Sequence, residues 1–443
     1  MTDTAATIGL CWAEIIAVGS ELLVPPRLDT NSLFITGCLN ELGIEVRAKT
    51  VVGDRRDDVA VVLRGALDRV HLVVMCGGLG PTDDDLTRDA AAGLLGMRLV
   101  EDELVLDRIR QRFASRGMRM PETNRRQALV PVGAEVLPNQ NGTAPGLWIE
   151  RDGRILILLP GPPDELEPMF AQVAAERLAP RAGGGKICRK VLRICGRTES
   201  EVEELVFATY SRWTREALPI ATTVLTASAQ IELHLSVHAA TDAIGLARLD
   251  DARRQVAAIV GADIFSVDGR ALEQVVGDAL RQRGWRIAVA ESCTGGLISS
   301  RLTDVAGSSD YVLVNAVCYN NEAKTTWLGV PAELIHAFGA VSEEVATAMA
   351  DGVRERAGVE VSVGVTGIAG PTGGSERKPV GTVAIAVITP DARIVRTFRF
   401  PGGRLRVKQF AAQMALDMVR RVLSDAEIGG AFVLRRAPES FGS

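Results

Sequence analysis

The sequence predicts an α/β protein, with a doubly wound domain at the N-terminal end, a small α+β module in the middle and a second α/β domain at the C-terminal end. Three observations carry this reading. Short apolar runs alternate with helix-period segments in both end regions. The 443 residues exceed what one ordinary core accommodates. The stretch between shows clear strand alternation at one place only. We divide the chain into residues 1–172, 173–263 and 264–443.

In the first region, AEIIAV (13–18) is a short buried strand opening into GSELL. IEVRAKTVV (44–52) and HLVVMC (71–76) are further strands, with helices over 31–42 and 57–69. Val105, Ile109 and Phe113 recur at helical spacing over 102–116, and Gly117 ends that helix. AEVLPNQNGTAPGLWIE (134–150) and RILILLPGPPDELEPM (154–169) close the domain with two rigid glycine-bearing loops. In this architecture ligands sit at the carboxyl ends of strands. RAGGGK (181–186) is a flexible connection.

In the middle region, Ile231, Leu233, Leu235 and Val237 face one way; Glu232, His234, Ser236 and His238 face the other. The two histidines are about 13 Å apart at ~3.3 Å per residue, too far to share one ion. The last region opens on a helix with Leu272, Val275, Val276, Ala279 and Leu280 in one stripe and Gly284 as its stop. WRIAVA (285–290) runs into ESCTGG. A helix capped by Ser342 reaches Gly358, VEVSVGV (359–365) runs into TGIAGPTGG, and VGTVAIAVI (380–388) is another strand. The first twelve residues and the tail RRAPESFGS are expected to be mobile ends.

Net charge is −5 and aromatics make up 4%, which argues against nucleic acid and anionic membrane as partners. No segment has 18 uninterrupted apolar residues, and no signal peptide is evident. The seven cysteines are scattered, without a CxxC pair, as expected of reduced thiols in a cytoplasmic protein.

Two constellations carry chemistry. The first is LVVMCGGLGPTDDDLTRDA (72–90), where glycines that favour an anion are followed at once by Asp83, Asp84 and Asp85. The Rossmann and Walker spacings are absent. Either the aspartates cap the following helix, or a divalent cation bridges them to phosphate oxygens. The second constellation is Ser308, Tyr319 and Lys324, which supply a hydroxyl, a phenol and an amine within seventeen residues. A neutral lysine or a tyrosine can take a serine proton. Equally, Ser308 in GSS suits a turn and Lys324 a solvated helix. Cys293 follows a strand end but has no histidine near it in sequence, which fits a buried thiol better than a nucleophile. His336 is the sole histidine of this region, without triad companions.

GSELL, DTNS, GGLGPTDDDLTRDA, NGTAPG and LPGPPDEL together resemble the N-terminal domain of the CinA family, itself similar to the MoaB/MogA molybdopterin-binding fold. The resemblance implies a nucleotide pocket formed by Gly19, Asp29, Asn31, Gly77, Gly78, Gly80, Thr82, Gly142, Thr143, Gly146 and Gly161. It implies metal-dependent ADP-ribose pyrophosphatase activity, with Mg, Mn or Co on Asp83, Asp84 and Asp85. The alternative is a module that binds a nucleotide or pterin without chemistry. ESCTGG, AGSSDY, YNNEAK, GVTGIAGP, KPVGTV and PGGR resemble the CinA C-terminal domain, similar to the PncC nicotinamide-nucleotide amidohydrolase. That implies hydrolysis of nicotinamide mononucleotide to nicotinate mononucleotide and ammonia, without a metal. Ser308 would be the nucleophile, with Tyr319 and Lys324 as its base system and Ser292 in reserve. Thr366 and the amides around Gly367 would polarise the amide. Glu291, Ser292, Thr294, Gly295, Gly296 and Arg404 would hold ribose and phosphate. The middle region stands where CinA proteins carry a KH-like module, but it lacks the GXXG clamp of RNA binding. A structural or dimer-forming role is expected there, and the protein as a homodimer.

Overall fold

The computed structural model describes residues 10–227 and 229–427. The expected mobile ends lie largely outside these, except that Leu10 is buried and its amide donates to the Arg181 carbonyl at 2.8 Å. The chain divides into two compact units. One comprises Met1–Cys188 and His238–Gly245, the other Arg189–Val237 and Leu246–Ser443.

The first unit is built on a six-stranded sheet ordered Glu45–Val52, Trp12–Val18, Leu72–Cys76, Arg154–Leu159, Gly146–Arg151, Glu135–Leu137. The first four strands are parallel and the last two antiparallel, so the expected doubly wound sheet is mixed. Alternate side chains divide between two cores. Ile16, Val73, Met75, Leu156 and Leu158 enter one; Ile15, Ala17, Leu72, Val74, Ile155 and Ile157 enter the other. Each fully buried aliphatic side chain contributes about 1.5–3 kcal/mol. Burial on both faces is why these strands read as unbroken apolar runs. The helix expected over 102–116 spans Glu103–Ser115; Asp102 caps it by accepting from the Val105 amide at 3.0 Å.

A four-stranded sheet, most of whose residues belong to the second unit, runs in the order Ile220–Ala227, Gln230–Ala239, Lys186–Ile194, Ile264–Ser266. With helices Glu199–Trp213 and Asp242–Val260, its chain order is β-α-β-β-α-β. Sequence patterning exposed only Gln230–Ala239, where Ile231, Leu233, Leu235 and Val237 are buried as expected. The Ile220–Ala227 strand escaped because its exposed positions, Ala221, Thr223, Leu225 and Thr226, carry no charge to mark an outer face. Thr198 and Glu201 form a reciprocal cap at the first of these helices.

A five-stranded sheet follows, ordered Val312–Val317, Ile287–Glu291, Val361–Gly367, Thr382–Ile388, Arg393–Arg399. The first three strands are parallel and the last two antiparallel. Helices Leu272–Arg283, Glu343–Ala357 and Arg404–Leu423 pack around it, the first ending on left-handed Gly284. Ser342 caps the second, accepting from the Val345 amide at 3.2 Å. Asp417, wholly buried on the third, receives Arg420 and Arg421, and Arg421 reaches Asp263 at 2.7 Å. Among the described residues no helix is long and apolar enough to cross a membrane.

Candidate functional sites

In the first unit three parallel strands end side by side, with Ala17 level with Cys76 and Cys76 level with Leu159. Each runs at once into a loop, so three loops share one rim. The Gly77 amide donates to the Leu159 carbonyl at 3.0 Å, and Thr87 Oγ1 donates to the Gly77 carbonyl at 2.8 Å. Gly77 has φ +96°, and a Cβ there would lie 2.1 Å from the Val18 carbonyl oxygen. Only glycine permits this crossing of backbones.

The rim encloses a cavity of about 640 Å³. Gly19, Asp29, Asn31, Gly77, Gly78, Gly80, Asp84, Asp85, Thr143 and Gly161 line it. Thr82, Asp83, Gly142 and Gly146 do not. Asp83 points into solvent, where Arg126 Nη1 donates to it at 2.7 Å. Thr82 latches the loop, its amide and hydroxyl donating to Asp85 at 2.9 and 2.5 Å. Gly142 makes room for the Glu165 carboxylate, and Gly146 begins a buried strand against Met169. The sequence-stretch of three aspartates therefore splits: two face the cavity and one faces outward.

Asn31 Nδ2 donates to the Gly161 carbonyl at 2.7 Å, tying two of the loops together, while its buried Oδ1 has no partner among the described residues. Asp29 accepts from the Ser32 amide at 2.9 Å. Cys76, on the cavity floor, is pushed up to about 12 by burial and then by Asp29. Sequence reasoning missed Glu21, Asp54, Gln127 and Glu165, which also line the cavity. They come from separate loops, and no motif spacing links them. Arg27 is the cavity's sole basic lining residue against six carboxylates. Hard oxygen donors of this kind suit Mg²⁺ or a similar ion. Among the described residues no group of three His, Cys, Asp or Glu side chains converges on one point. Any such ion would complete its shell with ligand oxygens and water.

The second unit gathers its candidates at the carboxyl ends of Ile287–Glu291, Val312–Val317 and Val361–Gly367. Glu291, wholly buried, accepts from the amides of Gly296, Ile298 and Ser299 at 3.0, 3.1 and 2.8 Å and from the Ser299 hydroxyl at 2.5 Å. Its carboxylate thus shapes the ESCTGG loop from inside, in place of the expected contact with substrate. Gly295 and Gly296 are left-handed, at φ +61° and +91°. The Ser292 amide donates to the Val365 carbonyl at 3.0 Å. Thr294 is wholly buried, and its hydroxyl has no partner among the described residues. Thr366 Oγ1 donates to the Ala340 carbonyl at 2.7 Å, and Gly367 gives space to Cys293.

Lys324 is 2% exposed, on the helix Asn321–Leu328. Its Nζ donates to the carbonyls of Tyr319 and Asn320 at 3.4 Å each. Burial lowers its pKa, with the thiols of Cys318 and Cys293 nearby. The Tyr319 hydroxyl accepts from Arg404 Nη2, and Arg404 Nη1 donates to the Gly370 carbonyl at 2.9 Å. Lys408, one helical turn beyond Arg404, brings its amine against Gly295. It was missed because nothing but that spacing marks it.

Ser308 is not part of this gathering. It lies in the turn Ser308–Asp310, ahead of Val312–Val317, while Tyr319 and Lys324 follow that strand. A six-residue strand at ~3.3 Å per residue sets them about 20 Å apart. Closeness in sequence concealed this, because the intervening residues are extended. Ser292 is the serine at the correct end of the sheet. Cys293 is buried and pushed up to about 12, so it stays a neutral thiol. His336 is exposed on a separate short helix, away from these loops in the chain.

A glycine-looped cavity at the carboxyl edge of one α/β sheet and a buried lysine at the carboxyl edge of another define a two-site α/β protein. Residues 14–180 match the family described as "Probable molybdopterin binding domain", and residues 269–423 match the CinA C-terminal domain. A CinA-like protein of Koribacter versatilis is 46% identical over 415 residues, which cover 93% of this chain and 99% of that protein. One from Solibacter usitatus is 43% identical over 409 residues, 92% and 97% of the two chains. The solved competence/damage inducible protein CihA of Agrobacterium tumefaciens is 39% identical, covering 34% of this chain and 93% of its own, with a TM-score of 0.34. The chain belongs to the CinA-like family.

Proposed function

We propose that the second unit hydrolyses the carboxamide of nicotinamide mononucleotide, with Ser292 as nucleophile and Lys324 as base. The observation that carries this is the burial of Lys324 among the loops that hold Ser292, with its pKa depressed by desolvation. A neutral Lys324 amine takes the Ser292 hydroxyl proton as the oxygen adds to the carboxamide carbon. The tetrahedral intermediate collapses, the C–N bond breaks, and the ammonium delivers the proton to the departing ammonia. Water then cleaves the ester, giving nicotinate mononucleotide and free Ser292. Tyr319 gives its backbone carbonyl to Lys324 and its hydroxyl to Arg404, and Arg404 with Lys408 offers donors for the phosphate. Ammonia release from nicotinamide mononucleotide under chelator tests the assignment. Ser292→Ala and Lys324→Ala are expected to abolish release, and Ser308→Ala to leave most of it. Release that survives Ser292→Ala would overturn the nucleophile, and none from folded wild type would overturn the activity.

For the first unit the reading is cleavage of ADP-ribose with a divalent cation. The supporting observation is a cavity whose glycine loop faces Asp84 and Asp85 while a single arginine offsets the carboxylates. Asp84 and Asp85 would hold the cation, which would neutralise the diphosphate when bound. AMP release should need added Mg²⁺ or Mn²⁺ and be lost in Asp84→Ala and Asp85→Ala, while Asp83→Ala retains most of it. Unchanged ADP-ribose affinity with no AMP under any metal would show a binding module instead.

A further inference from the structure

A further cavity of about 270 Å³ lies wholly within the second unit, and nothing in the chemistry above uses it. Arg193 and Gln230 reach it from the four-stranded sheet. Gln409 and Gln413 stand one turn apart on Arg404–Leu423. Leu297 and Arg301 come from the short helix Leu297–Thr303, which leads out of the ESCTGG loop. The remaining wall is the first turn of Leu272–Arg283, whose Leu272 and Glu273 amides have no acceptor within that helix. Several polar groups here are unused. Gln413 is only 2% exposed; its Nε2 donates to Gln230 Oε1 at 3.2 Å, and its own Oε1 has no partner among the described residues. Side-chain oxygens so deeply placed are ordinarily hydrogen-bonded. Arg193 Nε is buried 3.0 Å from Glu232, yet makes no hydrogen bond among the described residues. Glu232 is already engaged by Gln230 and His234. Arg301 gives one nitrogen to Glu273 at 2.7 Å, which leaves the rest of its fork.

We propose that this cavity is a further nucleotide site, and that it takes a nucleoside monophosphate. The unmet groups are of two kinds. The two guanidinium groups and the helix amides call for an anion. Gln413 Oε1 calls for an N–H or O–H donor. Leu272 and Leu297 add apolar surface for a flat ring. A nucleoside monophosphate brings phosphate, hydroxyls and base together. Ligand pockets run from about 300 to 1,000 Å³, so this one is sized for a mononucleotide and not a dinucleotide. The occupant ties the four-stranded sheet to two helices that also serve the other site. Leu297 directly follows Gly296, whose amide donates to Glu291. Gln409 directly follows Lys408, whose amine meets Gly295. On the amidohydrolase reading, an occupant therefore steadies the loops that receive nicotinamide mononucleotide, and each ligand raises the affinity for the other.

The test is equilibrium dialysis of the full-length protein with AMP as the probe. Wild type is expected to bind one AMP more per chain than Arg193→Ala or Gln413→Met, since AMP held at the other two sites is common to all three. The Arg193 side chain is 25% exposed, so its variant keeps the test open if Gln413→Met fails to fold. Inorganic phosphate at equal concentration should leave that AMP in place. The KM for nicotinamide mononucleotide measured with AMP should be about fivefold lower in wild type than in Arg193→Ala, and equal without AMP. Equal AMP uptake by wild type and a folded Arg193→Ala would overturn the site. Displacement by equimolar phosphate would overturn the nucleotide as its ligand. The extra AMP bound with no difference in KM would overturn the coupling. The extra AMP bound by a protein that releases no ammonia would support this site and remove the amidohydrolase reading.

Discussion

Lys324 turns its amine back to the backbone carbonyl of Tyr319 at 3.4 Å, the residue whose hydroxyl Arg404 engages. The lysine is thus fixed at one point, almost without water, and its charged form is penalised. The rate of amide hydrolysis should therefore rise with pH through a midpoint below the ordinary lysine value. Lys324→Arg should remove both the rise and the activity, since guanidinium does not deprotonate in this range.

The same shift has a stability consequence of definite sign. The unfolded chain binds the Lys324 proton more tightly than the folded one. Below the folded pKa the buried ammonium costs stability, and that cost fades as pH rises from this value toward the ordinary lysine pKa. Lys324→Met should melt above wild type in mildly acidic buffer and lose the advantage in alkaline buffer. Thermal melts across pH, followed on the second unit, check this.

Glu291 gives a third prediction. Its two oxygens accept four hydrogen bonds inside the protein. Glu291→Gln replaces one acceptor with an NH₂ that faces donors. A loss of about 3 kcal/mol is expected, together with loss of amide hydrolysis as the ESCTGG loop shifts. Denaturant titration and ammonia assays would show both.

Gly77→Ala should disable the first site while leaving the second unit intact. Its Cβ would meet a carbonyl 2.1 Å away at a φ that alanine rarely adopts. A cost of at least about 2 kcal/mol is expected. ADP-ribose affinity should fall, with ammonia release from nicotinamide mononucleotide unchanged.

Asp417 anchors the last long helix. It is wholly buried and receives two arginines, one of which also grips Asp263. Asp417→Ala would leave the Arg420 guanidinium without a carboxylate and Arg421 with Asp263 alone, and cost about 3–5 kcal/mol. Removing the whole cluster for apolar residues should cost much less, and denaturant titration of the two variants separates these outcomes.

Much of the fold was legible because its signals are local. Apolar runs ending in glycine gave the strands, and Ser342, Gly117 and Gly284 marked helix ends where the structure has them. The site was legible as loops, because strand ends and glycines lie in consecutive residues. Side-chain direction was not. Asp83, Asp84 and Asp85 are equivalent in sequence, yet Arg126, forty-three positions on, draws one outward. Ser308 and Lys324 are near in sequence and separated by a strand. Ser292 and Lys324 are distant in sequence and brought to one edge by a parallel pairing.

Cys76 lies at the floor of one site and Cys293 next to Ser292, the proposed nucleophile, in the other, each pushed up to about 12. Neither offers a thiolate near neutrality. Peroxide and alkylating electrophiles that disable thiol enzymes should therefore spare both activities, and an inhibitor with a cysteine-directed warhead would find nothing to capture. The workable covalent handles are the oxygen of Ser292 and the amine of Lys324, which call for acylating or carbonyl chemistry instead.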